Sequence, residues 1–215
     1  LLEDAAQGFG GTIKGKKAGS FGDAASTSFF PAKPLGCYGD GGAIFTDDDK
    51  LADKMRSIRV HGSGIDKYDN VRIGINGRLD TIQAAILLEK LSIFDNELTL
   101  RNNSAYYYTK NLSNKVQKPI IPSEYFSSWA QYSVVLNVQA DRDDIIKEMR
   151  DKGIPLMVYY KIPLHLQAVY KNLGYKNGEF PISEDIAQRI LSLPMHPYLD
   201  KDIQDEIIST FNSII

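Results

Sequence analysis

The chain has 215 residues, a net charge of -2 and 43% hydrophobic residues, a composition typical of a globular protein with one or two domains. The balanced charge excludes the strongly basic surface of most nucleic-acid-binding domains. No apolar run approaches the ~20 residues that a membrane-spanning helix needs, so neither nucleic acid nor a membrane is an expected partner. Cys37 is the single cysteine and has no partner in the chain for a disulfide, which favours a reducing, cytoplasmic compartment.

Apolar patterning in the first half of the chain predicts short buried strands and amphipathic helices. The predicted elements are strands at 24–29 and 43–46, a helix from 47–49 to about 58, a polar loop at 62–77 and a long helix at 80–112. We expect the long helix to be interrupted and to link two domains. A loop as long as 62–77 inside a compact domain is typically functional.

The second half of the chain alternates between apolar strands and helical periodicity. The predicted elements are strands at 132–138 and 156–160 and helices at 141–152, 166–173, 182–191 and 201–215. Gly153 follows the first of these helices in the position that favours glycine after a helix end. The pattern therefore predicts a second domain in this half.

A lysine between an apolar strand and a glycine-rich run is the most informative feature of the sequence. Lys33 follows the predicted strand 24–29 and precedes the run 36–42, which contains four glycines. An acid, an amide and a hydroxyl accompany it: Asp4, Gln7 and Ser28. Pyridoxal 5'-phosphate (PLP) needs a carboxylate for its pyridine nitrogen, a cup for its phosphate and an amine for a Schiff base. The combination therefore points to a PLP enzyme.

Each of these residues alone has a simpler interpretation. Lys33 could be a solvated surface charge, Asp4 a helix cap and Ser28 a turn hydroxyl. Cys37 lies close enough to Lys33 to suggest a nucleophile, but we interpret it as a small buried residue of the glycine loop. The histidines show no metal-ligand spacing, so no metal site is predicted.

Seven short motifs occur in order along almost the whole chain. They are E-D-A-A-Q at 3–7, A-G-S-F-G-D at 18–23, S-F-F-P-A-K at 28–33, G-D-G-G at 39–42, R-V-H-G at 59–62, G-I-N-G-R-L at 74–79 and P-L-H-L-Q at 163–167. In this order and spacing the chain resembles the DegT/DnrJ/EryC1/StrS family of nucleotide-sugar aminotransferases from residue 2 to about residue 198. The motifs at 163–167 and 193–197 are also similar to the subgroup that acts on UDP-linked 3-keto-uronic acids.

The resemblance implies a role for each matching residue. Lys33 matches the Schiff-base lysine, which is both the catalytic residue and a cofactor ligand. The other matches to cofactor-binding residues are Asp4 for the pyridine nitrogen, Gln7 near the ring, Ser28 for the phosphate and Asn76 for the phosphate of the neighbouring subunit. The matches to substrate-binding residues are Arg78, Tyr159, Tyr160 and His165. The chain departs from the family at Tyr159, where histidine is common, and at Lys161, where proline is common.

The same resemblance implies a fold, a reaction and partners. The fold class would be α/β, of the PLP-dependent aspartate aminotransferase type (fold type I). Residues 1–97 would form the C-terminal part of the PLP-binding large domain, and residues 98–215 the small α+β C-terminal domain. Family chains are longer, so we expect this sequence to be the C-terminal part of a larger polypeptide.

The implied reaction transfers an amino group from an amino acid, with glutamate as the expected donor, through PLP to a keto group of a nucleotide-linked sugar. The expected assembly is a homodimer with shared active sites, and the expected pathway is surface polysaccharide or amino-sugar biosynthesis. Two alternatives stay open: a PLP-dependent sugar dehydratase, which typically has histidine in place of Lys33, and a non-catalytic dimerisation or ligand-binding module.

Overall fold

The computed structural model describes residues 1–66, 68–137 and 140–215. The chain divides into two compact units, of which the first comprises Leu1–Thr99 and Ile121–Ala130 and the second comprises Leu100–Ile120 and Gln131–Ile215. The segment Ile121–Ala130 thus groups with the first unit although it follows the start of the second. The assignment of domains at 1–97 and 98–215 stays a prediction.

The first unit contains a mixed sheet built around strand β4 (Ala24–Ser28). β1 (Leu2–Asp4) pairs with β4 in parallel, and β5 (Gly42–Phe45) pairs with it antiparallel on the other side. Alternate residues of β4, Ala25 and Thr27, are buried. The residues that alternate with them, on the opposite face of the sheet, are only half-buried. A second small sheet has the order β3–β2–β6, with β2 at Thr12–Ile13, β3 at Lys16–Lys17 and β6 at Tyr125–Phe126.

Helix α1 (Asp49–Arg59) follows β5, as the acidic start of its sequence predicts. The side chain of Asp48 caps the helix by accepting hydrogen bonds from the backbone N–H groups of Lys50 at 2.9 Å and Leu51 at 3.1 Å. Such a bond satisfies amide groups that have no partner inside the helix. Sequence and structure agree on this helix to within about two residues.

Helix α2 (Thr81–Asn111) runs through residues of both units. The expected interruption is wrong, because the helix is continuous and its sequence contains neither proline nor glycine. In the first unit, α2 supplies half of a buried apolar cluster beside the sheet. The buried members of this cluster are Phe29, Leu35, Cys37, Leu87, Phe94 and Leu98.

The second unit has its own core around a short antiparallel sheet of β7 (Tyr132–Val135) and β8 (Ile190–Leu193). Helices α3 (Arg142–Asp151), α4 (Pro181–Arg189) and α5 (Lys201–Ile214) complete it, together with short 3-10 helices at Leu164–Leu166 and Ala168–Leu173. The largest fully buried side chains of this unit are Tyr108, Tyr132, Leu136, Met149, Leu191 and Phe211. The end of the predicted strand 132–138 lies partly outside the described residues, at Val138.

Three predictions for the second unit are wrong in type or extent. The segment 156–160 is not a strand; only Met157 bridges to Ser192, and prolines at 155 and 163 flank the segment, where they remove backbone donors. The segment 166–173 forms 3-10 turns rather than an α-helix. The predicted helix 182–191 ends at Arg189, and the chain continues directly as β8.

Candidate active site

Lys33 lies in a tight loop directly after β4. Its backbone N–H donates to the carbonyl of Phe30 at 2.8 Å, and the hydroxyl of Ser28 accepts from the N–H of Phe30 at 3.2 Å. A Cβ atom added at Gly36 would lie 2.6 Å from the carbonyl oxygen of Pro31. Only glycine permits this close approach of the loop to itself. The loop thus has a defined conformation, in which the Lys33 side chain is half-buried.

The glycine-rich run after Lys33 is fixed to α2. The backbone N–H of Tyr38 donates to Oε1 of Gln83 at 2.8 Å, and the ammonium group of Lys90 donates to the carbonyl of Gly36. The thiol of Cys37 is fully buried, and its sulfur lies 3.0 Å from two backbone carbonyl oxygens, to either of which its one proton can donate. This placement agrees with its interpretation as a small buried residue.

The sheet aligns Asp4 with the strand that leads to Lys33. In the parallel pairing of β1 and β4, Asp4 stands opposite Ser26, so Ser28 lies about 7 Å further along the neighbouring strand. Both strands end at this edge, and the carboxyl ends of parallel strands are the usual ligand-binding edge of an α/β sheet. Oδ1 of Asp4 accepts from the N–H of Ala6 at 2.9 Å. Asp4 and Gln7 are exposed, and the carbonyl of Gln7 accepts from a serine hydroxyl, Ser128, at 2.8 Å.

Residues 75–77 fold back onto the end of α1, where their backbone hydrogen-bonds to Ile58, Arg59 and His61. Asn76 forms an antiparallel bridge with Val60, and the guanidinium group of Arg78 donates to Oδ1 of Asn76 at 3.2 and 3.3 Å. Gly62 has a φ of 75°, and a Cβ there would lie 1.8 Å from a backbone carbonyl. The fold therefore holds Asn76 and Arg78 together on the surface, both exposed.

A cavity of about 920 Å³ lies in the first unit between α1 and the β4–β5 strands, with Phe45, Met55 and Ile58 among its lining residues. Among the described residues, those predicted to bind PLP do not line it. Asp4 and Ser28 instead lie where β1 and β4 end, whereas Asn76 lies against Val60 at the end of α1. In the part of the chain that the structure covers, no cluster of His, Cys, Asp and Glu is arranged to hold a metal ion.

The predicted substrate residues of the second unit share a different cavity, of about 790 Å³. Tyr159, Tyr160 and His165 line it, and the rings of the two tyrosines meet edge to face with centroids 5.6 Å apart. Nε2 of His165 lies 2.9 Å from Oε1 of Glu184, and the imidazole packs on the ring of Phe180 with centroids 4.6 Å apart. The structure therefore brings these three residues together.

Comparison with known proteins identifies the family of the chain. The model of the DegT/DnrJ/EryC1/StrS aminotransferase family matches residues 1–212. The chain belongs to this family. It is 44% identical over 201 residues to the UDP-2-acetamido-2-deoxy-3-oxo-D-glucuronate aminotransferase of Pseudomonas aeruginosa, covering 93% of this chain and 54% of that protein. The chain thus spans about half the length of the curated relatives it matches.

Two solved structures share the fold of this chain. A family aminotransferase from Brucella abortus superposes with a TM-score of 0.92 at 50% identity, covering 99% of this chain and 56% of that one. A Streptococcus pneumoniae protein described as a sugar aminotransferase, in its PLP form, superposes with a TM-score of 0.91 at 27% identity, covering 99% of this chain and 57% of that one. The predicted fold class, an α/β fold of type I, is confirmed.

Sequence analysis did not single out three residues that hold the candidate site in place. Gln83 and Lys90 are seven residues apart, so they lie on the same face of α2. This spacing could have indicated from the sequence that both contact the same loop. Glu184 had no such signal, because a glutamate in the first turn of a helix is ordinarily explained by the helix dipole.

Proposed function

We propose that the protein is a PLP-dependent aminotransferase of nucleotide-linked sugars, with a UDP-linked keto sugar as the expected acceptor and glutamate as the expected donor. One observation carries the proposal. The strands that end at Asp4 and Ser28 are parallel neighbours, and the loop with Lys33 follows the second of them directly. Membership of the aminotransferase family and the PLP form of the S. pneumoniae relative support it.

The residues at this edge suit PLP by their chemistry. The carboxylate of Asp4 would hold a proton on the pyridine nitrogen through a charge-assisted hydrogen bond, with Gln7 near the ring. The hydroxyl of Ser28 would donate to the phosphate. Lys33 is the primary amine that would bond to the cofactor and then carry a proton on Nζ. In the described part of the chain, no hydrogen bond or ion pair occupies the Lys33 ammonium group. When bound, PLP supplies the electron sink for amino-group transfer.

The test uses the full-length polypeptide loaded with PLP. We expect glutamate to bleach the absorbance of the lysine-bound cofactor, and a UDP-linked 3-keto sugar to restore it, because the two half-reactions run the cofactor in opposite directions. The same keto sugar without its nucleotide is the matched control. If the protein removes a hydroxyl group from the keto sugar when no amino donor is present, it is a dehydratase instead. If glutamate does not bleach the cofactor absorbance, the protein is a binding module.

We also propose a homodimer in which each subunit completes the other's active site. Asn76 and Arg78 support this, since both side chains are exposed at the end of a well-anchored segment, and a two-fold interface uses the same patch twice. Mixed dimers of Lys33→Ala and Asn76→Ala full-length chains should recover activity. One pocket of such a dimer carries both lesions and the other carries neither.

Recovery in the mixed dimers is informative only if each variant alone is strongly impaired, so both homodimers serve as controls. Lack of recovery in verified mixed dimers would mean that each pocket comes from one chain, and the role of Asn76 would be wrong.

The proposed setting is the cytoplasm, in a pathway that supplies amino sugars for surface polysaccharides such as lipopolysaccharide. The free and buried thiol of Cys37 supports a reducing compartment. Among the described residues, no helix could cross a bilayer. We propose that residues 1–97 belong to the PLP-binding large domain, with Arg78 contacting the substrate. Residues 98–215 would then form the small domain, which carries the substrate contacts of Tyr159, Tyr160 and His165.

A further inference from the structure

The cavity of the second unit has few polar groups. Apart from its two tyrosines, the polar side chains among the described residues that line it are His165, Gln167 and Ser183. His165 is the one of these that can either donate or accept at each ring nitrogen, depending on where its proton lies. What a ligand meets at His165 therefore depends on which nitrogen carries the proton.

Glu184 decides where that proton lies. The backbone N–H of Gly178 donates to its carboxylate at 2.7 Å and that of Phe180 at 3.1 Å. These bonds, led by the one from Gly178, hold the pKa of Glu184 below its usual value, so the group is ionised at neutral pH. An ionised carboxylate can only accept, and Nε2 of His165 lies 2.9 Å from it. Nε2 must therefore donate, which leaves Nδ1 of the neutral ring without a proton.

The pair is held away from solvent. The side chains of His165 and Glu184 are 9% and 14% exposed, and the ring of Phe180 covers the imidazole. Within the described residues, no hydrogen bond involves Nδ1. These contacts keep the imidazole in one orientation, and in the neutral ring they leave Nδ1 as an acceptor.

We propose that Glu184 is a positioning residue for substrate binding, which holds His165 so that Nδ1 accepts a hydrogen bond from a hydroxyl or N–H group of the nucleotide sugar. The inference rests on the proposed function, because it takes this cavity as part of the nucleotide-sugar site. The arrangement follows the general rule that a carboxylate behind an imidazole fixes its tautomer and orientation.

A simpler role for Glu184 would be capping of α4. It stands in the first turn, and its Oε1 accepts the N–H of Phe180, the residue that precedes the helix. The carboxylate accepts from Phe180 and His165 through Oε1 and from Gly178 through Oε2, whereas glutamine has a single acceptor oxygen. In Glu184→Gln, an amide NH2 group in the place of Oε1 would donate to Nε2 and reverse the tautomer of His165, and it would also remove the acceptor of the Phe180 N–H.

The experiment measures binding of UDP-N-acetylglucosamine to the full-length protein by calorimetry. We expect Glu184→Gln to raise Kd about tenfold, the loss of one good hydrogen bond, and to lower the melting temperature by a few degrees, the cost of one lost bond at a helix start. Glu179→Gln is the matched control, since Glu179 is a nearby exposed glutamate that also accepts a backbone N–H, from Lys176 at 3.2 Å. Its Kd should equal that of the wild type.

A double-mutant cycle separates action through His165 from a general effect. In a His165→Asn background, Glu184→Gln should raise Kd less than twofold further, because its target is gone. The inference would be wrong if the wild type and Glu184→Gln had equal Kd values, or if the effects of Glu184→Gln and His165→Asn on Kd were fully additive. Either result would leave the proposed function intact. If the wild type itself does not bind UDP-N-acetylglucosamine or UDP, the proposed substrate class fails, and the inference fails with it.

Discussion

Replacing Lys33 by alanine should abolish turnover and the absorbance of the lysine-bound cofactor. The reason is that Lys33 is the primary amine proposed both to bond to PLP and to move the proton during transfer. Absorbance spectra and steady-state kinetics of the full-length variant measure the two effects separately. Lys17→Ala, the same change at an exposed lysine of β3 in the same unit, should leave both unchanged.

A second reagent makes this test more specific. A small primary amine in the buffer should restore part of the lost activity of Lys33→Ala, because it can take over the proton transfer, whereas a misfolded variant would not respond. If Lys33→Ala keeps both turnover and the cofactor absorbance, another group holds the cofactor, and the assignment is wrong.

Replacing Asp4 by asparagine should leave some PLP bound and lower kcat on the order of 10²-fold or more, the usual cost of removing one charge-stabilising group from an active site. Asparagine keeps the shape of the side chain and its bond to the N–H of Ala6. It lacks the negative charge that would hold the ring nitrogen protonated. The measurements are kcat and the cofactor content of the purified protein.

Asp53→Asn provides the matched control for Asp4→Asn. Asp53 is an exposed aspartate on α1, paired with Arg56 at 2.9 Å, and an exposed pair of this kind contributes little to stability. We expect its kcat to be that of the wild type. A near-normal kcat for Asp4→Asn with cofactor bound would exclude Asp4 as the partner of the ring nitrogen.

Local chemistry explains why several elements could be predicted from the sequence. Asp48 and Asp141 each cap a helix by accepting two backbone N–H groups, and Gly153 follows α3 with a φ of 81°. Such signals depend on residues adjacent in sequence. The ordered motifs around Lys33 likewise predicted the family, and that prediction is confirmed.

Where prediction failed, a long-range partner decided the outcome. Ile190 and Leu191 continue the apolar periodicity of the preceding helix. They nevertheless form part of β8, because their backbone pairs with the edge of β7. Segment 156–160 is apolar like a strand, yet only Met157 finds a partner, in Ser192. Local preference is weak compared with the pairing and burial that a neighbouring element supplies.

The sequence by itself determined the family, the fold class and the identity of the candidate cofactor residues, because motifs such as the one ending at Lys33 are contiguous. Only the tertiary structure decided the parallel register that aligns Asp4 with Ser26 and the contact of His165 with Glu184. The latter two residues are 19 positions apart. Their contact depends on how a 3-10 turn and a helix pack, and that packing results from side-chain burial across the whole unit, which a local pattern does not encode.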